Sequence, residues 1–133
     1  MVAMTPRLAA ETELGPLQSR YVDAEALPWK ATSSPGIDVK VLFSDEERGL
    51  MTALFRWAPG AKLELHEHVD IEQSYIIEGR LVDEEGEATA GTFVWRPAGS
   101  RHVAEAPDGA LMLAIFLKPN KFFGDRGNQP TGD

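Results

Sequence analysis

Nine prolines and twelve glycines run through 133 residues, and they leave few pieces long enough for three turns of helix. A chain divided in this way must build its core from short extended segments. Alternation supports this. Ile37, Val39, Val41 and Phe43 share one parity against Asp38 and Lys40 on the other, the period of a half-buried strand. Residues 49–57 are apolar on both parities and predict a strand covered on both faces. Further strands are predicted over 71–78, 80–82, 87–95 and 110–117. The turns between them have the residues turns need: Pro59-Gly60 fits a type II turn, Asp83–Gly86 a second, and Pro107-Asp108-Gly109 a hairpin. Only residues 8–14 offer a modest helix, ended by Gly15-Pro16. The expected architecture is an all-β antiparallel sandwich or barrel in one domain over 20–123. Residues 1–19 form an N-terminal arm in this reading, and 124–133, which lack apolar content, a disordered tail.

Charge and composition narrow the function. Thirteen Lys and Arg against 21 Asp and Glu give a net charge of −8, which argues against nucleic acid or an anionic membrane as the main partner. The absence of cysteine excludes a disulfide framework, a thiolate zinc site and a thiol nucleophile. The longest apolar run, Ala110–Leu117, is eight residues, whereas a spanning helix needs about 20. The first residues also lack the apolar region of a secretory signal, so a cytoplasmic location is expected.

The three histidines lie in two groups, His66 and His68 after the Pro59-Gly60 turn and His102 after Pro97-Ala98-Gly99. On a strand, residues i and i+2 face the same way with Cα atoms roughly 6.5–7 Å apart, close enough for both imidazoles to reach one ion. Glu72 can bring a carboxylate from the next strand, and His102 a third imidazole from a distant one. A His-x-His alone is more often a solvated strand edge. Here the surrounding residues fit a wider pattern, GxxxxxHxHxxxExxxxxxG over Gly60–Gly79 and GxxxxxPxGxxH over Gly91–His102.

These two strings resemble the paired motifs of the cupin superfamily, and the resemblance implies a small antiparallel jelly-roll barrel. It also implies that His66, His68, Glu72 and His102 match the family's metal ligands. The second motif often ends in Asn where this chain has Ala106, a departure that bears on pocket polarity rather than on the metal. The stretches EQSYIIEGRLVDEEG, AGTFVWRPAGSRH and LAIFLKPNKFF are similar to the group that contains acetylacetone dioxygenase, dihydroxyacetophenone dioxygenase and the cupin domain of ChrR-type anti-sigma factors.

Three imidazoles and a carboxylate suit Fe(II), Mn(II), Ni(II) or Zn(II) rather than Cu(I). The resemblance favours Fe(II) and a dioxygenase that cleaves a C–C bond of a small β-diketone or hydroxyketone. Its partners would be that substrate and dioxygen. Glu72 would be a ligand at rest and a candidate base during turnover. The alternative is a ChrR-like metal-binding sensor without catalysis. Parity places Ser74 and Ile76 beside Glu72 in the expected pocket, with Trp95 as a further lining residue. Phe55, Trp57, Phe93 and Phe116 are weaker candidates, and Arg56 and Arg96 are expected at the surface or the rim. A homodimer is expected from the resemblance, with residues 17–31 as the segment that could cover an exposed β edge.

Overall fold

The computed structural model describes residues 3–123. The tail predicted over 124–133 lies outside the described residues. Ten strands form among the described residues: β1 (Lys30–Ala31), β2 (Ile37–Asp45), β3 (Leu50–Trp57), β4 (Ala61–Glu67), β5 (Glu72–Val82), β6 (Glu87–Thr89), β7 (Phe93–Arg96), β8 (Arg101–Ala106), β9 (Ala110–Phe116) and β10 (Lys121–Phe122). Their pairings are all antiparallel and run β1-β2-β3-β9-β5-β8-β4-β10, with β6 and β7 added on β5. The long β5 serves both sheets. Its first half pairs with β7 and β9, and its second half with β6 and β8. This curls the sheet into the jelly-roll barrel expected from the motifs.

The predicted turns form as their residues require. Ala61 N–H donates to Ala58 O across Pro59-Gly60, with Gly60 at φ +82°, the conformation a type II turn demands. Gly79, the last glycine of the first motif, is needed for space, because a Cβ there would collide with the Gly109 carbonyl. The helix expected over 8–14 is a single 3₁₀ turn at Glu11–Glu13 with no side-chain cap and no buried residue, too short to gain from packing. Among the described residues no helix is long and apolar enough to cross a membrane.

Two strand predictions differ from the structure. The strand expected over 87–95 is two, because Gly91 at φ +90° breaks it and its N–H donates to Ile76 O. One part then joins each sheet. Lys40, expected to face solvent, is buried: its Nζ donates to Ala24 O at 2.7 Å and lies over the Trp29 ring. Residues 24–29 therefore cover the outer face of β2, and β1 pairs with β2 of the same chain.

Inside the barrel, register sets the side chains in rows. Val39, Phe55, Met112 and Ile76 stand opposite one another on β2, β3, β9 and β5, and all four are buried. The next inward row is Val41, Ala53, Ala114, Ser74 and Val94. Beyond it come Met51, Phe116, Glu72 and Arg96. The interior thus passes from large apolar residues through small ones to a polar end.

Candidate metal centre

The polar end is completed by β4 and β8. A bulge in β4 between Leu63 and His66 changes the parity, so that both of these side chains point inward while Glu64 and Leu65 stay exposed. Without that extra residue His66 would face solvent. His66 stands directly opposite His102 on β8. His68 lies just past the end of β4, where its N–H donates to Ser100 O and its carbonyl accepts from Gly99 N–H. The Pro97–Gly99 turn therefore fixes the backbone of one candidate ligand and delivers the chain to another. All three histidines are buried, and their candidate ligand atoms lie within 4.8 Å of one another.

Hydrogen-bond partners assign the tautomers. His66 Nδ1 is 2.8 Å from Glu64 O, a carbonyl that can only accept, so Nδ1 carries the proton. The bulge that turns His66 inward also supplies this carbonyl. His68 Nδ1 is 3.2 Å from Ser100 O and 3.1 Å from Ser100 Oγ. That hydroxyl donates its single proton to Pro97 O at 2.7 Å, so His68 Nδ1 is again the donor. His102 Nδ1 faces Asp83 Oδ2 at 3.4 Å.

His66 and His68 therefore keep a free lone pair on Nε2, and the Asp83 carboxylate facing His102 Nδ1 favours the same tautomer there, although at 3.4 Å it makes no hydrogen bond. His68 Nε2 lies 3.3 Å from His102 Nε2 and 2.7 Å from Glu72 Oε1. Lone pairs and a carboxylate gathered in a buried space repel unless a cation stands among them. Two nitrogens each about 2.1 Å from one ion at a right angle would be about 3.0 Å apart, close to the separation found. The donor set fits a divalent metal ion.

Electrostatics favour the neutral rings a metal requires. Burial pushes His66 down to about 4, although the Glu64 carbonyl works in the opposite direction. His102 is pushed down to about 3, first by burial and then by the nearby Arg96 guanidinium. Ser74 Oγ donates to Glu72 Oε2 at 3.2 Å, which leaves Oε1 toward the histidines.

Two residues of this site were not singled out as such in the sequence. Asp83 was placed in a turn, and its Oδ1 does accept from the Glu85 and Gly86 N–H groups. Its Oδ2, however, meets both His102 and Arg96, the latter at 2.7 Å. Burial works against the Asp83 charge, but the Glu85 N–H and Arg96 hold its carboxyl below the usual range. Arg96 was expected at the surface or rim and instead lines the interior cavity. An Asp directly after a strand reads only as a turn, so no sequence signal distinguishes it.

The cavity beside the histidines has a volume of about 30 Å³ and is lined by Glu72, Ser74, Ile76, Ala104, Phe55, Trp57 and Phe116, among others. Ser74 and Ile76 are therefore on the inner face as parity predicted. Trp95 is not. It is 57% exposed on the outer face of β7, opposite Gln73, and Phe93 is exposed on the same face. Register puts Val94 and Arg96 inside instead. Arg56 is also outside, paired with Asp38 and stacked on Trp29.

A model of the ChrR cupin-like domain matches residues 17–121, most of the chain. The chain belongs to this cupin family. No curated protein matches it. Among solved structures, the cupin is similar to a candidate acetylacetone dioxygenase from Methylibium petroleiphilum, with 25% identity and a TM-score of 0.76 over 89% of this chain and 90% of the other. It is also similar to a cupin-like protein of unknown function from Ralstonia eutropha, with 28% identity and a TM-score of 0.76 over 90% and 80%. An acetylacetone dioxygenase from Acinetobacter johnsonii shares the fold at 20% identity, with a TM-score of 0.69 over 89% and 85%.

Proposed function

We propose that this cupin binds one divalent metal ion through Nε2 of His66, His68 and His102 and the Glu72 carboxylate. We further propose that with Fe(II) it is a dioxygenase cleaving a C–C bond of a small β-diketone or hydroxyketone. The observation that carries the metal reading is the meeting of three buried imidazoles, their candidate ligand atoms within 4.8 Å of one another, with the Glu72 carboxylate 2.7 Å from His68 Nε2. Similarity to the Methylibium petroleiphilum protein supports the choice of reaction. Ferrous iron held by these residues would supply a Lewis acid for the substrate to chelate through two oxygens, with stabilisation of its enolate and a one-electron route to dioxygen.

The chain's own groups have definable roles. Glu72 would ligate at rest through Oε1 and, on leaving the ion during turnover, can take the acidic proton of the substrate on that oxygen while Ser74 holds Oε2. Ile76, Ala104 and Met112 line the cavity and keep water from the reacting carbon. Asp83 orients His102, in the manner of carboxylates behind ligating histidines. The test is anaerobic loading with Fe(II), followed by oxygen-electrode assays over β-diketones and hydroxyacetophenones. Oxygen uptake matched by two carbonyl products is expected.

One observation favours a second reading, a metal-binding sensor of the ChrR type. The cavity at the histidines is small, about 30 Å³, and four ligands around a tetrahedral ion would close the site. One equivalent of bound metal with no oxygen uptake across the panel would select that reading.

A further inference from the structure

The cavity at the histidines is too small for an organic ligand, but a larger space adjoins it. A cleft of about 620 Å³ lies under the N-terminal arm, between Pro6, Leu27 and Trp29 on one side and Val41 and Met51 on the other. Its volume falls within the roughly 300–1,000 Å³ of small-molecule sites. Two residues, Phe116 and Asn120, line both spaces. Phe116 is an apolar wall, whereas Asn120 is 4% exposed and its Oδ1 has no hydrogen-bond partner. A buried amide oxygen without a partner is unfavourable, so its presence calls for a ligand.

The fold holds this amide close to the candidate ligands. Asn120 immediately precedes β10, whose Phe122 is opposite His66 with ring centroids 5.5 Å apart. Asn120 therefore stands where a molecule reaching from the cleft to the histidines must pass.

We infer that the 620 Å³ cleft receives the organic body of the substrate and that Asn120 is a specificity-determining residue, its Oδ1 accepting a hydrogen bond from a substrate hydroxyl. This rests on the metal-site reading above and deepens it. The chemical class follows from the acceptor. An α-hydroxyketone can chelate through its carbonyl and hydroxyl oxygens and still donate its O–H, whereas a β-diketone bound as its enolate has no such proton. Asn120 thus selects hydroxyketones over β-diketones. A site built to hydrogen-bond a hydroxyl rejects ligands that lack it, because its own polar group is then left unpaired.

The test is calorimetric titration of the Zn(II)-loaded protein, which is redox-inert, with 2-hydroxyacetophenone and with acetylacetone, in wild type and Asn120→Leu. We expect the hydroxyketone to bind at least tenfold more weakly to the variant, with acetylacetone changed less than threefold. The variant's Tm should be unchanged or higher, because an unpaired buried acceptor has been removed. Should Asn120→Leu fold poorly, Asn120→Ala is expected to show the same ligand pattern. Equal loss for both compounds, loss for neither, or no binding of 2-hydroxyacetophenone by wild type overturns the inference, as does a fall in Tm in both variants. If wild type takes up no metal, the metal reading fails by itself. Titration of the metal-free protein then decides Asn120: a tenfold loss in the variant supports its role, and no difference overturns it.

Discussion

Two rows of inward residues that share β3, β9 and β5 do opposite things. The row Val39, Phe55, Met112 and Ile76 is apolar and buried, whereas Met51, Phe116 and Glu72, four positions along those three strands, with Arg96 on β7 beside them, adjoin the three histidines. Both rows face the interior, although Met51 and Arg96 are only partly buried. The first stabilises the barrel by removing apolar surface from water. The second places carboxylate and imidazole groups out of water with incomplete pairing, which opposes folding unless a ligand binds. Between them Ala53 and Ala114 leave the room that larger side chains would fill. The barrel is thus a rigid apolar body carrying a strained polar end.

Substitutions should separate the rows. His66→Ala removes one Nε2 and is expected to weaken Zn(II) binding about 10⁴-fold, about 5.5 kcal/mol, by competition with a chromogenic chelator. The denaturation midpoint of the metal-free protein should not fall. Phe55→Ala should do the reverse, losing roughly 3–5 kcal/mol of stability in urea while one metal still binds per chain. If His66→Ala unfolded the metal-free protein, the division between the rows would be broken.

Asp83→Asn keeps the shape but removes the charge facing His102 and Arg96, and a 10–100-fold loss of metal affinity is expected. A further effect is graded with pH. His66 and His102 have folded values of about 4 and 3, below the unfolded value of about 6.5, so the unfolded chain binds more protons on acidification. Metal-free stability should fall as the pH drops below about 6.5, by roughly 1.4 kcal/mol per pH unit for each ring, and level off only below the folded values. Phe55→Ala should lower the whole curve without changing this slope, which urea denaturation from pH 7 to 4 would show.

Much of the apolar row was legible in the sequence, because Ile37, Val39 and Val41 alternate and the flanking Gly and Pro residues mark the strand ends. The ligand candidates were legible through their spacing. What could not be read was what depends on long-range register. The bulge at Glu64 and Leu65 follows no local signal, yet it turns His66 inward and supplies the carbonyl that holds its Nδ1–H. Trp95 was assigned to the pocket because aromatic residues suit apolar linings, but pairing with Gln73 puts it outside. Lys40 looked exposed because its cover comes from residues 24–29, which have no strand pattern of their own. Asp83 and Asn120 read as ordinary loop residues, and only the assembled barrel puts them beside the centre.

The proposed convergence of three Nε2 atoms on one ion is tested most directly by nitrogen NMR of histidine-labelled, metal-free protein titrated with Zn(II). Three rings protonated at Nδ1 before addition, with all three Nε2 resonances shifting together and saturating at one equivalent, is the expected result. Rings protonated at Nε2, or a titration in which fewer than three of them respond, would contradict it.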